Sequence, residues 1–110
     1  MATRKATGTL DMRAMQAHAG EAARLLKALA SEQRLKVLCL LVGGERSVGE
    51  INDLLELSQS ALSQHLAVLR EEGLVRTRRE AQTIHYSLMP GPAAVMIEAL
   101  HGIYCRPAGS

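Results

Sequence analysis

The chain has 110 residues, fewer than the ~150 typical of one domain, so a single domain is expected. Hydrophobic residues make up 47%, enough to bury a core, which excludes a disordered chain. There is no Trp or Phe and there are only two Tyr, which argues against surfaces that stack the bases of RNA or single strands.

Charge is less decisive. The 13 Lys and Arg exceed the 11 Asp and Glu by a formal +2, so the placement of charge matters more than its sum. Cys39 and Cys105 are far apart in sequence, with no CxxC pair and no zinc-finger spacing. No apolar run follows the basic start, and the longest, residues 37–42, is far too short to span a bilayer. A cytoplasmic protein with no membrane partner is expected, its thiols normally reduced.

Residues 1–10 are small, polar and basic, and are expected to be disordered. From about residue 11, Met12, Met15, Ala19, Ala22, Ala23, Leu26 and Leu29 recur at helical steps. Ser31 is an N-cap for a second helix in which Leu35, Leu38, Cys39 and Val42 repeat, with Val37, Leu40 and Leu41 between them. So apolar a helix belongs at the centre, and Gly43-Gly44 ends it. Ser47-Val48-Gly49-Glu50 is a capping box that opens a short helix ending at Leu55.

Ser58 caps the next helix, expected over residues 59–72 and stopped by Gly73. The link of about three residues is the spacing of a helix-turn-helix. Residues 74–88 then read as two strands around Glu80-Ala81-Gln82, the first bearing Arg76, Arg78 and Arg79. On the return strand Ile84, Tyr86 and Leu88 alternate with His85 and Ser87, so His85 is expected to face water. Pro90-Gly91-Pro92 breaks the chain before a last helix over residues 93–104, and 106–110 form a tail.

The fold class is therefore mainly α with a small β-hairpin: a winged helix-turn-helix spanning residues 11–105. In that arrangement the second helix of the pair enters the major groove of double-stranded DNA. Leu62, Leu66 and Leu69 mark its buried side. Gln59, Ser60, Ser63 and Gln64 offer hydrogen bonds to bases or phosphates, and Arg70, Arg76, Arg78, Arg79 and Gln82 supply backbone contacts. Either feature alone could be a solvated surface; together with the short link they favour DNA.

Leu25-Leu26-Lys27-Ala28-Leu29-Ala30-Ser31-Glu32-Gln33-Arg34-Leu35-Lys36-Val37-Leu38 closely resembles the opening signature of ArsR-family repressors. Ser58-Gln59-Ser60-Ala61-Leu62-Ser63-Gln64-His65-Leu66 and Leu69-Arg70-Glu71-Glu72-Gly73-Leu74-Val75 resemble that family's recognition helix and its exit. The resemblance implies a repressor, not an enzyme, that pairs as a homodimer through its first and last helices. It further implies an inverted-repeat operator that is released when an inducer binds.

The arsenic and cadmium sensors of that family carry a thiolate motif where this chain has Ser47-Val48-Gly49-Glu50-Ile51-Asn52, so that site is absent. Glu98 and His101 do not match the zinc and nickel pattern, and no metal or cofactor is expected. The surroundings of Cys39 and Cys105 resemble the family's persulfide-sensing branch of BigR-, SqrR- and HlyU-like regulators. That resemblance implies a disulfide or polysulfide bridge between Cys39 and Cys105 in response to persulfide.

By itself Cys39, among Leu and Val, fits an inert small hydrophobe, whereas Cys105 lies beside the cationic His101 and Arg106. Cys105 is expected to react first and Cys39 to resolve. Alternatives in the same fold are a metal sensor using Cys39, Cys105 and His101, or a general thiol redox switch. Outside it stand a thiol oxidoreductase, opposed by the missing CxxC, and a dimeric interaction protein without DNA binding.

Overall fold

The computed structural model describes residues 12–105; the N-terminus expected to be disordered and the tail lie outside the described residues. The order is α1 (Met12–Leu29), α2 (Glu32–Val42), β1 (Arg46–Ser47), α3 (Val48–Leu55), α4 (Gln59–Glu71), β2 (Val75–Glu80), β3 (Thr83–Leu88) and α5 (Pro92–Tyr104). Helix α1 buries only Ala28 and Leu29 at its end, leaving Met12, Met15 and Leu26 more than half exposed. Ser31 turns the chain into α2 by accepting the backbone N–H of Arg34 at 3.3 Å. Arg34 in turn donates Nε to the Ala28 carbonyl at 2.8 Å, satisfying an acceptor that the end of α1 leaves open.

Helix α2 is the hub, with Val37, Leu38 and Leu41 buried against α3, α4, α5 and the sheet. Its exit through Gly44 has φ +128°, a backbone conformation that side chains resist. The capping box then forms as expected. Ser47 N–H donates to Glu50 Oε1 at 2.8 Å, and Glu50 N–H donates to Ser47 Oγ at 3.1 Å. Replacing Ser47 by Ala is expected to cost ~1 kcal/mol, read as a lower midpoint in thermal unfolding.

Asn52 Nδ2 donates to the Leu57 carbonyl at 2.8 Å, and Ser58 accepts the N–H of Ala61 at 3.1 Å, which starts α4. Helix α4 buries Leu62, Leu66 and Leu69 and ends at Gly73, whose φ of +73° suits glycine. Leu38, Ile51, Leu62, Leu69 and Ile97 form the aliphatic centre, so α4 is fixed by the same core that holds α2 and α5.

The expected hairpin forms from β2 and β3, and the sheet adds a third strand to it. It has three antiparallel strands in the order β1-β3-β2, with Arg46 opposite Tyr86 and Ser47 opposite His85. Because β1 closes the second edge of β3, His85 does not face water as expected. Its side chain is only 19% exposed, with Nε2 3.4 Å from Glu80 Oε1. Among the described residues no helix is long and apolar enough to cross a membrane.

Candidate nucleic-acid interface and cysteine pair

One outward face of α4 carries Ser60, Ser63, Gln64 and Ala67, spaced three and four residues apart, and all are exposed. Gln59 at the first turn and Arg70 at the last are exposed as well. Ala61 and His65 lie at the margin, partly covered. Between this helix and the sheet runs an open groove of about 600 Å³, lined by Ser63, Ala67, Arg70 and Ile84 among others. The exposed groups are small or hydrogen-bonding, so the helix can approach base edges closely.

The wing arginines divide by face. Opposite residues in an antiparallel pair share a face, and Arg79 is opposite Ile84, on the side that Val75 and Tyr86 turn to the core. Arg76 and Arg78 lie opposite Ser87 and His85, on the other side. Arg79 and Gln82 are exposed near the tip, whereas Arg76 Nε makes a long 3.5 Å bond to Ser87 Oγ. Arg78 is already engaged. Its Nε and Nη2 donate to the two Glu45 oxygens at 3.0 and 2.9 Å, which holds the Glu45 carboxyl below its ordinary pKa.

A second such fork joins α1 to the exit of α4. Arg24 Nε and Nη2 donate to Glu72 at 2.8 and 3.2 Å. Neither Glu45 nor Glu72 had been expected to matter, because nothing in the local pattern marks an ion pair between distant segments.

Cys39 sits part-buried on α2 and Cys105 is exposed where α5 ends; both are free thiols. The packing of α5 on α2 brings them together. Burial pushes the Cys39 thiol up, and the charge and hydrogen bonding of the adjacent Cys105 add to that rise. Glu98 is exposed and His101 half-buried, with the His101 carbonyl accepting the Cys105 N–H at 2.8 Å. Among the described residues no group of three or more His, Cys, Asp or Glu is placed to hold a metal ion.

Residues 31–77 match the model of the bacterial regulatory protein family arsR. The transcriptional activator HlyU of Vibrio cholerae is 53% identical over 97 residues, covering 88% of this chain and 90% of that protein. The chain belongs to the ArsR family. The biofilm growth-associated repressor of Agrobacterium fabrum is 50% identical over 100 residues, covering 91% of this chain and 86% of the other. The solved structure of reduced HlyU from Vibrio cholerae superposes with a TM-score of 0.81 at 54% identity, covering 86% of this chain and 99% of that one.

As an ArsR-family chain, the protein is a DNA-binding transcriptional regulator and not an enzyme. The winged-helix architecture expected from the sequence is the one observed, with β1 as the addition. The thiolate motif of the family's soft-metal sensors has no counterpart on α3, where Ser47 and Glu50 are occupied in capping the helix.

Proposed function

We propose that this protein is a repressor that binds an inverted-repeat operator as a homodimer and releases it when a persulfide links Cys39 to Cys105. The observation that carries the reading is the placement of a part-buried thiol on the hub helix near an exposed thiol at the end of the last helix, which packs on it. The names of the two sequence relatives are an activator and a repressor, so the sign of regulation depends on what else occupies the promoter.

The chemistry balances without an external oxidant beyond the persulfide. Cys105 thiolate attacks the terminal sulfur of RSSH, giving Cys105–S–SH and RS⁻. Cys39 thiolate then attacks Cys105 Sγ, forming the disulfide and expelling HS⁻. If a second RSSH first converts Cys39 as well, Cys105–S–S⁻ attacks Cys39 Sγ. That path yields a trisulfide and HS⁻.

Dimerisation is supported by the distribution of exposed apolar side chains. Met12, Met15 and Leu26 on α1, with Val95, Ile103 and Tyr104 on α5, are each more than half exposed. A second copy covering these helices would set the spacing of two recognition helices. A bridge between α2 and α5 would alter that spacing, and couplings of ~1–3 kcal/mol change affinity about 5–150-fold. Base contacts come from Gln59, Ser60, Ser63 and Gln64, and phosphate contacts from Arg70, Arg76, Arg79 and Gln82.

The test joins mass and binding. The reduced chain is treated anaerobically with glutathione persulfide, or separately with peroxide, and weighed intact. Its affinity is then measured on a duplex selected from a random pool by the untreated chain. A Cys39–Cys105 bridge formed with persulfide, together with loss of the duplex, is expected. Release by peroxide through a plain disulfide would make it a general thiol switch, and release by zinc or copper(I) with intact thiols a metal sensor.

A further inference from the structure

We propose that Arg78 is a positioning residue and not a DNA contact: its fork with Glu45 ties the wing to the end of α2, so the wing follows α2. Arg78 holds both oxygens of Glu45 and also lies 3.5 Å from Glu80 Oε1. A guanidinium shared by two carboxylates has little charge left for a phosphate, and those carboxylates would repel one. Arg79, which makes no ion pair among those observed, and Arg76, with its single long bond to Ser87, are the available wing cations.

What Arg78 holds explains the role. Glu45 comes three residues after Val42, the last residue of α2, across the turn at Gly44. Its neighbour Arg46 donates Nε back to the Leu40 carbonyl at 3.3 Å, and Leu40 adjoins Cys39. Arg46 also pairs with Tyr86 in the sheet. The last turn of α2 is thus attached to the wing by a strand pair and to the hairpin's outer face by the Glu45–Arg78 fork. A shift at Cys39 has a short, rigid route to the wing; this second step rests on the bridge reading above, the first does not.

The sign of one substitution separates the two roles of Arg78. The reduced full chain and its Glu45→Gln, Arg78→Gln and double variants are titrated with the selected duplex over a salt series. If Arg78 is a brace, each single variant weakens binding about fivefold with an unchanged salt slope, and the double variant is no worse than either. If Arg78 contacts a phosphate, Glu45→Gln frees it and tightens binding, while Arg78→Gln lowers the salt slope by about 1; either result overturns the proposal.

Repeating the titration on the bridged chain tests the second step. The reduced-to-bridged affinity ratio is expected to shrink in Glu45→Gln, and a ratio equal to wild type overturns the link to the cysteines. Should the bridged wild type hold DNA as tightly as the reduced one, the cysteine reading and this link fall together. The salt series would then still decide the brace.

Discussion

Replacing Ala67 by Glu is expected to weaken binding of the selected duplex about 100-fold or more while leaving the fold intact. Ala67 is exposed on the face of α4 that also carries Ser60, Ser63 and Gln64, and it lines the groove toward the wing. A carboxylate there would be driven toward phosphates and base acceptors, and its bulk would hold the helix out of the major groove. Nothing buried changes, because the core contacts of α4 are made by Leu62, Leu66 and Leu69. A surface substitution of this kind costs about 0.5 kcal/mol or less in stability, so thermal unfolding should not move. If Ala67→Glu binds as tightly as wild type, α4 is not the helix that enters the groove.

The same helix shows why so much of the architecture is legible in the sequence. Its leucines repeat at helical steps, Ser58 caps its start and Gly73 its end, and each signal is local. The capping box at Ser47 and Glu50 is local too, and it forms bond for bond. What escaped the sequence is non-local. Strand β1 has only two residues, Arg46 and Ser47, too few to show an alternation, and its existence depends on β3 offering an open edge. That missing strand is why His85 was expected in water and is found mostly covered.

The Glu45–Arg78 fork joins residues 33 apart with no periodic trace. Sequence reasoning therefore grouped three wing arginines as equivalent. The register of β2 on β3 separates them, with Arg79 on one face and Arg76 and Arg78 on the other. The cysteines are intermediate: their helices are readable, but their proximity depends on how α5 packs on α2.

Their different burial makes the two thiols unequal, and the largest regulatory effect should follow from the inequality. Burial first, and the neighbouring Cys105 second, raise the Cys39 thiol above its ordinary 9.0. A raised thiol pKa means that the folded chain keeps Cys39 protonated where the unfolded chain would ionise. The associated stabilisation is full below pH 9.0 and is lost as pH climbs through the raised folded value. At neutral pH, alkylation of part-buried Cys39 by iodoacetamide should therefore be slower than that of exposed Cys105, with the gap narrowing as pH rises. In Cys39→Ala, persulfide should load Cys105 and stop there, because no second thiol is in reach. In Cys105→Ser, almost nothing should form at neutral pH. Both variants should hold the duplex in the presence of persulfide, turning the about 5–150-fold release proposed for wild type into none. Release by Cys39→Ala would show that an adduct on Cys105 alone suffices, and faster alkylation of Cys39 would reverse the order of attack.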